Sequence, residues 1–183
     1  MCDSKKRFIY ALAGWSNAVG DARVWAHTAI QQQPERFLSP GEYLLGDKAY
    51  TLSKHMMTPY KNPAALRQEN RTFNRCLSNI RVDIEHAFGI LKGRWQSLNG
   101  LRVRITTKDR YVFVVKWIMA CVILHNLTIA FHDEWDEKIE SLDDNDDNVD
   151  EGREQASTQD EDAAQKRDCM KHVVLAFHGG YRN

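Results

Sequence analysis

Residues 80–95, IRVDIEHAFGILKGRW, have the pattern of an amphipathic helix. Within and just before this stretch, apolar side chains recur at steps of three and four residues, which places them on one helical face. They are Phe73, Leu77, Ile80, Ile84, Phe88, Leu91 and Trp95. Beside that face stand Arg81, Glu85 and Gly89, which are four residues apart and therefore stack along a neighbouring edge. The pattern predicts a buried helix that presents one carboxylate, Glu85, next to its apolar face.

Charge is segregated along the 183 residues, although the formal net charge is zero. Residues 1–131 hold 19 Lys and Arg against 9 Asp and Glu, whereas residues 132–168 hold 4 against 16. A basic body favours phosphate-bearing partners, and an acidic run is typical of a solvated tail. Residues 143–151 cannot bury enough apolar surface to offset the entropy of ordering. We therefore predict a folded domain over residues 1–131, a disordered acidic linker over 132–162, and a C-terminal helix and tail over 163–183.

The four cysteines form no CxxC pair, which favours free thiols in a reducing compartment. Cys121 and His125 stand one helical turn apart and could bind zinc, but with no second pair nearby core and capping roles are favoured. The most apolar run, residues 111–131, is interrupted by Lys116, His125 and Asn126. This run therefore predicts a buried core helix rather than a membrane span.

Glycine, proline and N-cap residues divide the basic body into an alternation of strands and helices. The predicted elements are a strand over 8–14, a helix over 21–33 capped by Asp21, a strand over 43–47, a loop over 48–63, a helix in two pieces over 64–97, a basic connector over 98–107 and a helix over 110–131 capped by Asp109. The second strand delivers Asp47 at its carboxyl end, where α/β sheets commonly hold ligands. This order predicts an α/β fold with a helix-rich C-terminal half.

Asp47 and Glu85 are the candidate catalytic and metal-binding pair. Mg²⁺ prefers carboxylate oxygen, and two-metal phosphoryl-transfer sites gather several carboxylates from separate elements. On spacing alone, in a chain with 25 acidic residues, a strand-end aspartate and an unrelated solvated glutamate would be the better interpretation. The motifs around the two residues change that balance.

An ordered series of motifs carries a resemblance to a known family. The motifs are Gly46-Asp-Lys-Ala-Tyr50, Thr58-Pro-Tyr60, Phe73-Asn74, Leu77-Ser78, Arg81-Val-Asp-Ile-Glu-His-Ala-Phe-Gly89, Leu91-Lys92, Arg94-Trp95 and Cys121-Val-Ile-Leu-His-Asn126, with residues 14–21 and Arg23-Val24 ahead of them. The series, which spans residues 1–130, resembles the DDE endonuclease domain of PIF/Harbinger-type transposases and of the nucleases derived from them. The resemblance implies an RNase H-like fold and cleavage and strand transfer of DNA that depend on Mg²⁺ or Mn²⁺. By that likeness Asp47 is the second catalytic carboxylate and Glu85 the third.

The family's first catalytic aspartate has no counterpart in this sequence. In the family it lies in an Asp-Gly-Thr-like setting on the first strand, upstream of the segment with which this chain begins. Asp3 and Asp21 are the only acids before Glu35, and neither has that setting; Asp21 either shapes the site or caps a helix. We therefore expect an N-terminally truncated domain with weakened metal binding. Three interpretations stay open: a nuclease, a domesticated or truncated non-catalytic DNA- or protein-binding remnant, and a truncated gene model.

Basic side chains near the two carboxylates are candidates for contacts with DNA phosphates. They are Arg81, Lys92, Arg94, Arg102 and Arg104. Arg81 either touches a phosphate or pairs with Glu85, and the others either follow the DNA backbone or form a solvated face. The resemblance also implies a separate DNA-binding (Myb-like) partner protein and a location in the nucleus, with the cytoplasm as the alternative location.

Overall fold

The structure, a computed structural model, describes residues 1–15, 18–101, 103–132 and 160–180. Its elements in chain order are α1 (Asp21–Ala26), α2 (Ala29–Gln32), β1 (Leu44–Leu45), β2 (Met56–Met57), α3 (Gln68–Arg94), α4 (Lys108–Ala130) and α5 (Glu161–Gly180). Strands β1 and β2 form a two-stranded parallel sheet in which Leu44 pairs with Met56 and Leu45 with Met57. The described part of the chain is therefore helix-rich with a small sheet.

The chain divides into two compact units. The sheet unit comprises Asn17–Arg81 and Gly152–Asn183, and the helical unit comprises Met1–Ser16 and Val82–Glu151. The core of the sheet unit is built from Met57, Tyr60, Phe73 and Leu77. The core of the helical unit is built from Phe8, Ala87, Leu91, Cys121 and Val122. Helix α3 contributes residues to both cores.

The strand predictions are correct at one place and wrong at two. Strand β1 confirms the predicted strand over 43–47. The predicted strand over 8–14 is wrong, because Phe8 forms only an isolated antiparallel bridge with Cys2. Strand β2 lies inside the predicted loop over 48–63, where the short Met56–Met57 pair offers no alternating pattern that sequence reasoning could detect.

Two predicted helix caps are wrong. The first predicted helix is two short helices, and Asp21 is the first helical residue of α1, after Gly20 in the N-cap position. Helix α2 has its own cap, because the Thr28 hydroxyl accepts a hydrogen bond from the backbone N–H of Gln31 at 3.2 Å. Helix α4 is capped by Thr107 rather than Asp109, since Thr107 has the extended backbone of an N-cap.

Helix α3 is continuous, so the prediction of two pieces over 64–97 is wrong; 3-10 turns at Ala64–Leu66 and Gln96–Leu98 flank it. The predicted apolar face is buried at Phe73, Leu77 and Leu91, whereas Ile80 and Phe88 are 58% and 45% exposed. Ala87 is completely buried. It lies one turn before Leu91, so this small residue rather than Phe88 continues the buried line.

Helix α4 confirms the helix predicted over 110–131, but not its burial. Only 22% of its apolar stretch is buried, because one side alone, carrying Val114, Cys121, Val122 and His125, faces the core. Phe113, Ile123 and Leu127 are among its exposed apolar side chains. By length and composition α4 could cross a membrane. The core helices of soluble proteins can have the same length and composition, so these two properties are weak evidence for a membrane span.

Two side chains near the end of α4 hold the segment that contains Phe8. The Asn126 side chain accepts a hydrogen bond from the Phe8 N–H and donates one to the Phe8 carbonyl, both at 2.8 Å. His125 Nε2 lies 2.8 Å from the carbonyl oxygen of Lys6. These contacts bind the Phe8 backbone to α4, while backbone hydrogen bonds from Ile9 to Met1 and from Asp3 to Arg7 join the segment to the first residues of the chain.

The predicted C-terminal helix is present as α5, which begins at Glu161 rather than at residue 163 and extends to Gly180. Of the predicted acidic linker, residues 133–159 lie outside the described residues. Residues 161 and 162, predicted as linker, form the first turn of α5. Acidic side chains there suit the positive end of a helix dipole.

Candidate functional site

Close packing at Gly46 positions Asp47 at the carboxyl end of β1. The Gly46 N–H donates a hydrogen bond of 2.9 Å to the carbonyl oxygen of Met57, which extends the sheet by one residue. A Cβ at Gly46 would lie 2.6 Å from the Met56 sulfur and 3.0 Å from Tyr50 Cδ2. A larger residue at Gly46 would have to displace the Met56 and Tyr50 side chains, so glycine is favoured here, and the Asp47 carboxylate follows directly after the packed strand.

The Asp47 carboxylate is anchored yet accessible. Its Oδ1 accepts a hydrogen bond of 2.7 Å from the backbone N–H of Ala49. Its Oδ2 lies 4.0 Å from Arg81 Nη2, and the Asp47 side chain is 37% exposed. Arg81 thus forms an ion pair with Asp47, a partner that the sequence did not predict, since the two alternatives there were a phosphate and Glu85. At this distance and exposure the pair adds little stability.

Asp47 and Arg81 line a cleft of about 320 Å³ in the sheet unit. Its lining residues are Asp47, Lys48, Pro59, Asn74, Leu77, Ser78 and Arg81. Asn74, Ser78 and Arg81 follow one another at helical spacing along one side of α3. The lining holds one carboxylate, two cations and two polar side chains, a composition that suits a phosphate group.

Asn74 fixes the wall of this cleft by two hydrogen bonds to Tyr60. Its side-chain oxygen accepts from the Tyr60 N–H at 2.8 Å, and its side-chain nitrogen donates to the Tyr60 carbonyl at 3.0 Å. Sequence reasoning quoted Phe73-Asn74 and Thr58-Pro-Tyr60 as separate motifs and gave neither a place in the site. Both motifs belong to the ordered series that resembles the family, and this shared membership was the signal that could have predicted a contact between Asn74 and Tyr60.

Tyr50 is a second group near the cleft that sequence reasoning assigned no role. Burial raises the pKa of its hydroxyl, the carboxylates of Asp21 and Asp47 raise it further, and Arg81 lowers it. The ring of Trp25 meets that of Tyr50 edge-on, with centroids 6.2 Å apart. Asp21 is not an N-cap, and it lies within electrostatic range of the same tyrosine as Asp47.

Glu85 belongs to the helical unit. It lies on α3 one turn after Arg81, and its side chain is exposed. A Cβ at Gly89, one turn further along, would meet no atom within 4 Å outside its own helix backbone, so the helix surface beside Glu85 is uncrowded. Because Asp47 belongs to the sheet unit, the pairing of these two carboxylates stays a prediction.

The described residues do not by themselves provide a divalent-metal site. Within them, no group of three or more His, Cys, Asp and Glu side chains is arranged to hold a metal ion. Asp47 is the one carboxylate in the lining of the cleft, and its oxygens face the Ala49 N–H and Arg81. Mg²⁺ requires several oxygen ligands in near-octahedral geometry. Metal binding by Asp47 and Glu85 is therefore a prediction that this geometry does not complete.

The other predicted phosphate-contacting residues lie in the helical unit. Lys92 and Arg104 are exposed, whereas Arg94 is half-buried. Arg94 is also close enough to His125 for its charge to lower the pKa of that imidazole. Arg102 lies outside the described residues.

Cys121 and His125 have structural surroundings. Both side chains are buried, and burial raises the pKa of the Cys121 thiol. Burial likewise lowers the pKa of His125, although the hydrogen bond to the Lys6 carbonyl opposes the shift. These surroundings fit the core roles predicted for the pair rather than a zinc site.

Comparison with known proteins identifies similar sequences. The family model described as DDE superfamily endonuclease matches residues 1–126. "Protein ALP1-like" of Arabidopsis thaliana is 27% identical over 146 residues, which cover 72% of this chain and 34% of that protein. "Putative nuclease HARBI1" of Homo sapiens is 24% identical over 129 residues, which cover 70% of this chain and 36% of that protein. The mouse protein of the same name is 23% identical over the same length. The chain thus spans about a third of the length of these relatives, and no solved structure gives a significant match.

Proposed function

The chain belongs to the DDE superfamily endonuclease family, and on that premise we propose that it is a Harbinger-type nuclease domain that cleaves DNA phosphodiesters. The family resemblance carried by the sequence motifs is confirmed at this level. The observation that carries the proposal is the cleft at the end of β1, where an anchored and accessible Asp47 stands beside Lys48 and Arg81. One carboxylate between cations is a suitable environment for a phosphodiester and its nucleophile.

The side chains of the cleft have separate proposed tasks. Lys48 and Arg81 bind non-bridging phosphate oxygens, with Arg81 offering the planar fork that pairs with two oxygens at once. Ser78 and Asn74 supply neutral hydrogen-bonding groups on the same helix. Asp47 and Glu85 are the proposed catalytic carboxylates and the ligands of Mg²⁺ or Mn²⁺, a cofactor that supplies an activated water when bound. The described residues do not complete that ligand set, so the roles derived from geometry are limited to binding and orienting the phosphodiester.

Four further properties rest on the family resemblance and not on the geometry. We propose an RNase H-like fold for the domain, DNA as its substrate, a separate Myb-like DNA-binding partner protein, and a location in the nucleus. We also propose that four basic residues contact the DNA backbone outside the cleft: Lys92, Arg94, Arg102 and Arg104. Such contacts would make binding steeply dependent on salt, since each neutralised phosphate releases counterions.

The test is nicking of supercoiled plasmid by the purified chain with Mg²⁺ or Mn²⁺. We expect nicking by the intact chain, and a loss of about a hundredfold or more in Asp47→Asn and in Glu85→Gln, the scale expected when a group at the reacting centre is removed. Glu69→Gln is the matched control, because Glu69 is an exposed carboxylate in the first turn of α3. Its rate should stay within about twofold of the intact chain, as for a surface substitution.

Two results would decide against the proposal. No nicking by the intact chain with either metal would refute the enzymatic activity of this chain. If the intact chain binds DNA but nicks it with neither metal, and that binding survives both carboxylate substitutions, the alternative of a non-catalytic binding module would be favoured. Arg81→Gln separates binding from chemistry, because it should weaken DNA binding and reduce the salt slope by about one.

A further inference from the structure

Helix α5 lies beyond the family match, which ends at residue 126, and yet it is part of the sheet unit. Met170 and Val174 pack against the core cluster formed by Met57, Tyr60, Phe73 and Leu77. Ala163, near the start of the helix, is only 1% exposed. An apolar face of α5 is thus packed into the unit that carries the cleft.

Tyr60 is the residue on which the polar contacts of α5 converge. Its hydroxyl donates a hydrogen bond to the carboxylate of Asp168. The Arg167 guanidinium carbon lies 3.9 Å from the centre of the Tyr60 ring, a cation–π distance. Lys171 Nζ lies 5.2 Å from the same ring and 3.3 Å from Asp168. On the side of α3, the Phe73 ring meets Tyr60 edge-on at 5.5 Å.

Lys166 adds a second attachment at the start of the sheet. Its ammonium group donates to the carbonyl oxygen of Lys54 at 3.0 Å and to that of Gly41 at 3.3 Å. It also lies 4.5 Å from the centre of the Tyr43 ring. These two carbonyls belong to the segments that lead into β1 and β2, so one side chain of α5 bridges both.

Tyr60 connects these contacts to the cleft. Its backbone N–H and carbonyl are both bonded to Asn74, and Asn74 lines the cleft. Pro59, the residue before it, lines the cleft as well. Leu77 belongs both to the lining and to the core on which α5 packs. A change at the Tyr60 ring therefore has a short covalent and hydrogen-bonded route to the cleft wall.

We propose that α5 is an intramolecular clamp on the cleft, in which Arg167 and Asp168 are positioning residues that act through Tyr60 on the wall formed by Pro59 and Asn74. The clamp does not depend on what the cleft binds or on whether the chain cleaves DNA. If α5 were only a cover for the apolar core, Met170 and Val174 would suffice and the polar contacts to Tyr60 would be dispensable.

The test uses the full chain and measures hydrogen exchange of the Tyr60 backbone N–H, which is bonded to Asn74. Asp168→Ala removes the acceptor for the Tyr60 hydroxyl while alanine preserves the helix. We expect this exchange rate to rise about tenfold, the factor that corresponds to one lost hydrogen bond to a charged group. Asp162→Ala makes the same substitution in the first turn of α5, at a side chain that is exposed as that of Asp168 is. It tests whether weakening the helix alone raises the exchange, and the Tyr60 rate should stay within about twofold.

Two further variants separate the clamp from a general weakening of the helix. Tyr60→Phe should reproduce the rise, and the double variant with Asp168→Ala should add nothing more, because both remove the same interaction. Asp168→Asn keeps an acceptor oxygen and should restore part of the protection. In Asp168→Ala the pKa of the Tyr60 hydroxyl should fall, since burial, the Asp168 hydrogen bond and its charge raise that pKa in the intact chain.

Three outcomes would overturn the clamp. One is unchanged Tyr60 exchange in both Asp168→Ala and Tyr60→Phe, and another is an equal rise in the Asp162→Ala control. The third is additivity of the two substitutions in the double variant. The plasmid-nicking result has no bearing on these measurements, so failure of the proposed activity and failure of the clamp are distinguishable.

Discussion

Replacement of Asn126 by alanine should destabilise the helical unit more than any other single asparagine substitution in that unit's described residues. The side chain makes two hydrogen bonds of 2.8 Å to one backbone residue, Phe8, which lies 118 positions away in sequence. Phe8 is itself only 7% exposed and belongs to the core of the unit. Asn126→Ala would therefore leave a backbone N–H and a carbonyl in place without partners and with little access to water.

The magnitude follows from the two unsatisfied groups. Each buried donor or acceptor left unpaired costs about 1–3 kcal/mol, so the pair costs about 2–6 kcal/mol. Alanine is a better helix former than asparagine, which offsets about 0.6 kcal/mol of this within α4. The net loss in the free energy of unfolding should be about 1.4–5.4 kcal/mol, equivalent to a fall in Tm of about 3–22 °C for a chain of this size.

The measurement is denaturant unfolding of the intact chain and the variant, with hydrogen exchange at the Phe8 N–H as a local readout. Asn99→Ala is the matched control, because the Asn99 side chain donates a single bond of 3.2 Å to the carbonyl of Lys92 in an exposed setting. Asn99→Ala should lower the free energy of unfolding by at most about 0.5 kcal/mol. If Asn126→Ala loses no more than this control, or if Phe8 exchange is unchanged, then the two hydrogen bonds do not hold the segment.

Two other predictions concern pH and glycine. His125 Nε2 bonds the Lys6 carbonyl, its Nδ1 is buried without a hydrogen-bond partner among the described residues, and burial lowers its pKa in the folded state. The unfolded state therefore takes up the proton first. The free energy of unfolding should fall as pH drops below about 6.5 and level off below the pKa of His125 in the folded state. This dependence on pH should be absent in His125→Gln, and an equal slope in that variant would contradict the reasoning. Gly46→Ala should lower the free energy of unfolding by about 1–3 kcal/mol, because the alanine Cβ would lie 2.6 Å from the Met56 sulfur. In Gly89→Ala the free energy of unfolding should rise by about 1 kcal/mol, because alanine is the better helix former and its Cβ meets no neighbouring atom. If thermal unfolding shows Gly46→Ala to be the more stable of the two variants, the contacts at Gly46 relax.

Much of the site could be predicted because its signals are local. The Gly46-Asp47 motif placed a carboxylate at the end of a strand, and the structure has β1 ending just before it. Three- and four-residue periodicity predicted α3, and the apolar run over 111–131 predicted α4. In each case the spacing of residues close in sequence carries the information, since a helix or strand repeats its own geometry. Membership of the family followed from the order of such motifs.

The contacts that give each unit its architecture could not be predicted in this way. Asn126 and Phe8 are 118 residues apart, and Tyr60 and Asp168 are 108 apart. A hydrogen bond between single distant positions has no period, so Asn126 and Asp168 have only the pattern of polar residues on a helix, and Phe8 and Tyr60 lie outside the helices. Thr28 and Thr107 became caps for a related reason, because the end of a helix depends on the backbone conformation that packing imposes.

What the sequence by itself determined is where the main helical regions lie, the strand that ends just before Asp47, and the family to which residues 1–126 belong. Only the tertiary structure decided that Ile80 is exposed and Ala87 buried, that Arg81 faces Asp47, and that α5 belongs to the unit that carries the cleft. The physical reason is that periodicity specifies which residues share a face, whereas burial and pairing depend on what the rest of the chain brings against that face.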